Sequence, residues 1–414
     1  MSSFLPLNDS NVVELRQQFP ALMALRNEQS PVYFDGPGGT QLPEQVIGAY
    51  AQYLQQGNSN LGGQFSVSRD TVDLVNICRE KGATLFGAES KDEIVFGANM
   101  TSMVFHFSRA ISQTWQAGDE IILSDIDHGS NRSSWAMAAK DRGVKVHYLP
   151  IIGDTCELDL SKLDELLNEK TRLVAVTAAS NLSGTMVDIE AVVQRAKANG
   201  SMAFIDAVHL LPHQIVNVKE LGADFVAGSA YKFFGPHLGV MYGRKEHLES
   251  LVPYKVEPAP TYAPNCWETG TLNFEALSAF SQAIDYLASL GEGKTLRAQL
   301  ESAYDNIHQY ECSLTEYFLS KLQALSGVTL YGMQEVENRT ATFALRFDDF
   351  SPAEVSAHLG EQEIYTWSGH LYADRLTDAL KITDKGGILR IGMMHYNTKA
   401  EIDRLFEALD TLLK

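Results

Sequence analysis

Lys232 lies between Tyr231 and the pair Phe233–Phe234 in the stretch GSAYKFFGPHLGVMYGR (228–244), with no acidic residue within seven positions on either side. Strand-like apolar runs, ADFVAG and LGVMYG, flank it. An ammonium group is costly to desolvate. A lysine held among apolar residues has a lowered pKa and serves as a covalent nucleophile. Other strand-like runs deliver reactive side chains in the same way. DEIVFG (92–97) leads into ANMT, where the N-terminus of a helix and the Thr101 hydroxyl suit a phosphate. DEIILSD (119–125) leads into DIDHGSN, with His128 and Asn131. TRLVAVTAAS (171–180) leads to Asn181, and SMAFIDAVH delivers Asp206 and His209. The run before Lys232 ends at Ser229.

Each residue alone has a plainer reading. A loop lysine is ordinarily solvated, a strand-end aspartate is ordinarily a cap or turn former, and ANMT is a weak phosphate signal. Five suitable groups on consecutive strand ends outweigh those readings, because ligands of open α/β sheets sit at the carboxyl ends of the strands. A lysine, a carboxylate, an imidazole, an amide and a phosphate cradle suit pyridoxal 5′-phosphate. The amine joins its aldehyde, and the carboxylate keeps the ring nitrogen protonated so that the ring accepts carbanion electrons. The imidazole can stack on the ring, and the amide can reach the phenolate oxygen.

The elements that must position this set follow from the pattern. Strand-like runs alternate with helical ones: a helix is expected over 100–118, another over 131–143, and a third over 188–200 with Asp188 as cap and Gly200 as stop. That alternation implies a largely parallel sheet with helices on both faces. Past residue 250 the texture changes. VPYKVEPAPTYAPNCWETGT reads as a loop, residues 274–325 as a helical block, and GVTLYG, RTATFALRF and ILRIGMMHY as strands of a second, smaller α+β domain. At 414 residues the chain is long enough for two domains.

A formal net charge of −19 argues against nucleic acid as a partner. The first residues, MSSFLPLNDS, lack a basic, apolar leader, and no run is long enough to span a bilayer. Cys78, Cys156, Cys266 and Cys312 are far apart and fit neither a metal knuckle nor a disulfide framework. A cytoplasmic setting without a metal site is expected. A nicotinamide enzyme is disfavoured, since no glycine-rich fingerprint follows a strand.

VYFDGPGGTQLP (32–43), DHGSN, ASNLSGTMVDI, FIDAVHLLPH, GSAYKFFGPHLGVMYG and DKGGILRIGMMHYNTKAEIDRL (384–405) together resemble the class V aminotransferase family of fold-type I pyridoxal-phosphate enzymes. The likeness is to its cysteine desulfurase / selenocysteine lyase-like branch. It implies an α/β fold-type I architecture: an arm over 1–20 packing with the small domain, a large cofactor-binding domain over 21–270 with a mostly parallel mixed sheet, and a small C-terminal domain with a linking helix over 271–414. It implies Lys232 as the covalent lysine, Asp206 at the ring nitrogen and His128 stacked on the ring. Asn181 and His209 fall near the phenolate oxygen, and Met100, Thr101, Ser229 and Tyr231 near the phosphate. Thr271 would reach the phosphate across a homodimer interface. Arg390 would clamp the substrate α-carboxylate, with Gly39, Asn181 and Tyr372 also on the substrate side.

Two departures from the family pattern stand out. Tyr231 replaces a histidine that usually precedes the lysine. Tyr372, in WSGHLYAD (367–374), stands where desulfurases carry a nucleophilic cysteine in a mobile loop. The expected activity is therefore C–S or C–Se cleavage of an amino acid by β-elimination. Transamination and epimerisation use the same carbanion, and a cofactor-binding protein without turnover is the alternative of another class.

Overall fold

The computed structural model describes residues 6–413. The strands of the large sheet are β1 (Ile94–Gly97), β2 (Glu120–Ser124), β3 (Lys145–Leu149), β4 (Thr171–Thr177), β5 (Met202–Asp206), β6 (Phe225–Ser229) and β7 (Gly239–Gly243). Their order is β1-β7-β6-β5-β4-β2-β3, parallel throughout except for β7, which runs antiparallel to both neighbours. Residues of β6 and β7 are buried along their whole length, as expected for strands covered on both faces. The covering helices include α1 (Glu44–Gln56), α2 (Ser66–Phe86), α3 (Met100–Ile111), α4 (Gly129–Arg142) and α5 (Ile189–Ala198). Asn99 caps α3 by accepting from Ser102 N, and Asp188 caps α5 by accepting from Ala191 N. Gly143, in the left-handed region, ends α4.

Two helices, α6 (Phe274–Ser289) and α7 (Leu296–Leu322), lead to a four-stranded antiparallel sheet. Its strands are β8 (Val328–Tyr331), β9 (Thr342–Phe347), β10 (Trp367–Gly369) and β11 (Ile388–Gly392), ordered β8-β9-β11-β10. The last helix, α8 (Lys399–Leu413), carries Glu401, whose carboxylate pairs with Arg16 at 2.8 Å and ties the N-terminal segment to this part of the molecule. Residues 1–5 of the expected arm lie outside the described residues. Among the described residues, no helix is long and apolar enough to cross a membrane.

Two expectations are corrected. The helix expected to run to 118 stops at Ile111, followed by a 3₁₀ turn over Ser112–Thr114. There Ser112 and Thr114 hydroxyls donate to the carbonyls of Arg109 and Ile111, three residues back, and such local bonds compete with helix propagation. The block expected over 274–325 is two helices. At Gly291, between them, a Cβ would lie 2.2 Å from the Gln299 carbonyl oxygen, so only glycine lets the connection pack against α7.

Candidate active site

The sheet order brings the reactive residues to one edge. Thr177, Asp206 and Ser229 end the adjacent strands β4, β5 and β6, with Thr177 paired to Asp206 and Asp206 to Ala227. Because β7 is antiparallel, its first residue, Gly239, pairs with both Ser229 and Gly97, which places the end of β1 beside that of β6. A Cβ at Gly239 would sit 2.6 Å from the Asn99 carbonyl carbon. The missing side chain therefore lets the N-terminus of α3 come down onto the strand ends. These elements, with Trp367 and Arg390 from the small sheet, enclose a cavity of about 730 Å³.

Lys232 ends a 3₁₀ turn over Ala230–Lys232 and is partly buried in the cavity wall. Its Nζ donates to the Pro37 carbonyl and stands 4.5 Å from the centroid of the Tyr231 ring. Burial, reinforced by the positive charge of Arg390, lowers its pKa to about 7. The amine is thus available in its neutral, nucleophilic form near neutral pH. Asp206 is 3% exposed and accepts from Val208 N at 2.9 Å through Oδ1. Burial raises its carboxyl to about 6, partly opposed by the Val208 N–H and by Lys232. A cationic ring N–H on its other oxygen would favour the carboxylate form.

His128 caps α4, with Nδ1 accepting from Ser130 N at 3.1 Å. Burial first, then the charges of Lys232, Arg390 and Arg132, push its pKa down to about 4, so the ring is neutral. Beneath it Asp127 is fully buried and accepts from Ser124 N–H, the Ser124 hydroxyl and Asn131 Nδ2. Asn131 also accepts from Trp135 Nε1 at 3.0 Å. It therefore holds this loop from within α4 and does not line the cavity.

Asn181 donates through Nδ2 to the Leu371 carbonyl at 2.9 Å, while its Oδ1 is buried without a partner. Arg390 is 4% exposed; one terminal nitrogen donates to the Asn181 carbonyl at 2.8 Å, and Nε is buried without a partner. Burial lowers its pKa to about 10, which leaves it charged at neutral pH. His209 has Nε2 within 3.1–3.2 Å of the Thr340 and Thr342 hydroxyls, so only Nδ1 is free for a ligand. Met100, Thr101, Ser229 and Tyr231 all line the cavity.

Tyr231 stacks on His237, with ring centroids 4.9 Å apart. Tyr372 is 70% exposed at the cavity mouth, its ring 5.3 Å from that of His128. Two expected positions fall elsewhere. Gly39 backs onto the outer side of the Tyr231 ring and lines a neighbouring chamber, while Gly38 borders the Lys232 cavity. Thr271 lies beside Asn58–Asn60 in a separate groove of the same chain.

The structure adds residues that the sequence reading missed. Asp35, far upstream of every strand end considered above, has a buried Oδ1 without a partner and a pKa raised by burial to about 6, against the pull of Arg390 and Lys232. Trp367, Phe105 and Arg132 complete the wall, and Arg132 pairs with Asp374. Among these Asp35 lies in VYFDGPGGTQLP and Trp367 in WSGHLYAD, segments quoted above without either residue being singled out.

The donor set fits pyridoxal phosphate. A buried aspartate, a lysine with depressed pKa, an open helix N-terminus at Met100–Thr101 and the second N–H of Asn181 Nδ2 suit its ring nitrogen, aldehyde, phosphate and phenolate oxygen in turn.

The class-V aminotransferase family model matches residues 32–405. A cysteine desulfurase of Pectobacterium atrosepticum is 30% identical over 416 residues, covering 97% of this chain and 98% of that protein. A probable cysteine desulfurase of Streptomyces coelicolor is 31% identical over 415 residues, 96% of each. Among solved structures, a cysteine desulfurase of Escherichia coli superposes with a TM-score of 0.84 at 27% identity, over 98% of this chain and all of that one. One from Thermococcus onnurineus gives 0.87 at 24% identity, over 100% and 99%, and bears on the fold alone. With the strand-end lysine, the buried aspartate and this likeness along nearly its whole length, the chain belongs to the class-V aminotransferase family, as a pyridoxal-phosphate-dependent enzyme of the cysteine desulfurase-like kind.

Proposed function

We propose that the enzyme cleaves the C–S, or C–Se, bond of an α-amino acid by β-elimination, with no enzyme thiol taking part. One observation carries this reading. The loop that reaches the cavity mouth presents Tyr372, and none of the four cysteines lines the cavity. Cys78, Cys156 and Cys266 are buried, and burial raises the pKa of all four thiols, Cys78 and Cys156 to about 12. A thiol so held is a poor nucleophile near neutral pH.

Bound at Lys232, Asp206, His128 and the N-terminus of α3, pyridoxal phosphate supplies an electron sink for the pair left on Cα when its proton departs. The chain's own residues do the rest. Arg390 receives the α-carboxylate and fixes the orientation of Cα. Lys232, neutral near pH 7, takes the Cα proton. Asp206 would hold a positive charge at the ring nitrogen. His128, kept neutral by burial, would face the ring without adding a competing cation.

The reading extends to the assembly. We infer a homodimer in which Thr271 completes the partner's phosphate pocket; its place outside the Lys232 cavity of its own chain supports this. The two main sheets support a large domain over 21–270 and a small one over 271–414, and the Arg16–Glu401 pair supports an N-terminal arm packed on the latter. Four unpaired cysteines suit a cytoplasmic setting.

A screen of sulfur- and selenium-bearing amino acids tests the function, with pyruvate, sulfide and substrate-derived keto acid assayed separately. Pyruvate formed together with a released thiol, sulfide or selenide supports elimination. Keto acid that retains the substrate's sulfur, or racemised substrate, replaces it with transamination or epimerisation.

A further inference from the structure

We propose that the preferred substrates of this site are cysteine thioethers bearing an apolar, ring-sized group on sulfur, rather than free cysteine. The inference rests on the lyase reading above and names the substrate class within it.

The segment that presents Tyr372 is pinned along its length. Asn181 donates to the Leu371 carbonyl at 2.9 Å, Gly129 N–H to the Tyr372 carbonyl at 2.7 Å, and Ala373 N–H to the His370 carbonyl at 2.7 Å. Tyr372 N–H donates to His370 Nδ1 at 3.1 Å, and Asp374 pairs with Arg132. Leu371 and Tyr372 are both in the left-handed region, with φ of 48° and 63°. A segment anchored to the large domain at Leu371, Tyr372 and Asp374, and tied within itself through His370, forms a wall rather than an arm that carries sulfur out of the site.

That wall is aromatic where it meets solvent. Tyr372 is 70% exposed and Trp367 51%, while the chain's other three tryptophans are buried. Phe105 lines the same cavity. Trp367 is also adjacent to the carboxylate clamp: its Nε1 lies 3.0 Å, and an Arg390 terminal nitrogen 3.6 Å, from the point a Gly38 Cβ would occupy. With the carboxylate on Arg390 and the amine directed to Lys232, the side chain of a substrate leaves toward the mouth framed by Trp367 and Tyr372. Flat apolar faces gain by covering one another. A bare thiol covers almost none of this surface, whereas a ring on sulfur covers much of it. The cavity of about 730 Å³ holds the cofactor-binding residues at one end and Trp367, Leu371 and Tyr372 at the other, so the cofactor and the substrate share it. A further chamber of about 220 Å³ adjoins across Gly38, Tyr231 and Trp367.

The reaction balances without an oxidant or reductant. The Cα–H bond breaks with its proton passing to Lys232, and the Cβ–S bond breaks with its electron pair leaving on sulfur. The thiolate takes up a proton and departs as RSH. Water hydrolyses the remaining three-carbon enamine to pyruvate and ammonium.

The test compares S-benzyl-L-cysteine with L-cysteine on the holoenzyme, reading released thiol or sulfide together with pyruvate. The expected kcat/KM is at least tenfold higher for the thioether, and Trp367→Ala or Phe105→Ala should each lower that ratio several-fold. L-Cysteine used equally well or better, or ratios unmoved in both variants, would overturn the proposal. A second readout does not need turnover. The carboxylate 3-(benzylthio)propionate lacks the amine and cannot react. It should shift the fluorescence of the exposed Trp367 and bind about tenfold tighter than 3-mercaptopropionate, with the shift lost in Trp367→Phe. Tighter binding of the benzyl compound without cleavage of any substrate would uphold the aromatic wall and remove the lyase reading. Equal binding of the two acids would remove the wall.

Discussion

Replacing Arg390 by alanine tests the carboxylate clamp in terms that the structure makes quantitative. The guanidinium is 4% exposed, keeps its charge at neutral pH, and spends one terminal nitrogen on the Asn181 carbonyl. Its Nε and remaining terminal donors are free for a ligand. Two charge-assisted hydrogen bonds to a carboxylate contribute about 1.5–3 kcal/mol each, and desolvating the carboxylate offsets part of that sum. The net loss on truncation is about 3 kcal/mol, or roughly 150-fold in kcat/KM. Because the carboxylate is held before and during the reaction, the loss should fall mainly on KM. Steady-state kinetics on protein with a measured cofactor content is the assay. Cysteamine, which has no carboxylate, serves as the internal control, and whatever slow reaction it shows should be insensitive to the substitution. An unchanged KM accompanied by lost cofactor would place Arg390 at the phosphate and refute the reasoning.

Borohydride should bleach the yellow holoenzyme and leave a pyridoxyl group on Lys232; mass-spectrometric recovery of the group on another lysine contradicts the assignment. Asp206→Ala should fold and bind cofactor but lose at least 100-fold in kcat, about 3 kcal/mol of transition-state stabilisation; near-normal turnover would make Asp206 a turn former. Lys232→Met should stabilise the cofactor-free protein by up to about 5 kcal/mol below pH 7, from about 1.36 kcal/mol for each pH unit between the two pKa values. The unfolded lysine keeps its proton up to about 10.5 and the folded one only to about 7, so wild-type stability rises with pH across that window. The mutant's advantage should therefore fade as pH approaches 10.5, and denaturant titrations at pH 6.5, 8.5 and 10 that show a constant difference would exclude a desolvated lysine. Sedimentation should find a dimer, and Thr271→Val should weaken cofactor retention; an active monomer would leave Thr271 without a role.

The strand ends were legible because an alternating pattern fixes where each β-strand stops, and the chemistry lies just beyond. Lys232, Asp206, Ser229 and the helix start at ANMT needed only that periodicity to be found, and His128 needed only the following helix start. The rest depended on packing between distant segments. Asp35 stands in VYFDGPGGTQLP with no strand-end signal, and its burial near Arg390 arises from pairing with Gly392, 357 positions away in the chain. Trp367 begins an edge strand and lines the cavity only because β10 pairs with β11 in the register that sets Trp367 opposite Arg390. Gly38 and Gly39 differ by one position, and the positive φ at Gly39 turns it behind the Tyr231 ring. A break between α6 and α7 was hidden because both helices are apolar on the face they bury.

The central claim is C–S cleavage without an enzyme thiol, and the ratio of three-carbon products tests it most directly. L-Cysteine incubated with the holoenzyme in the absence of added thiols should give pyruvate, ammonium and sulfide in equal amounts, followed by NMR and sulfide trapping. Tyr372 offers a phenol oxygen in place of a thiolate, and an oxygen cannot take sulfur from the substrate as an enzyme persulfide. Pyruvate as the main product, at any rate of turnover, is the predicted result. Alanine as the main product, with a persulfide trapped on Cys78, Cys156, Cys266 or Cys312, would contradict the account and restore a sulfur-relay mechanism.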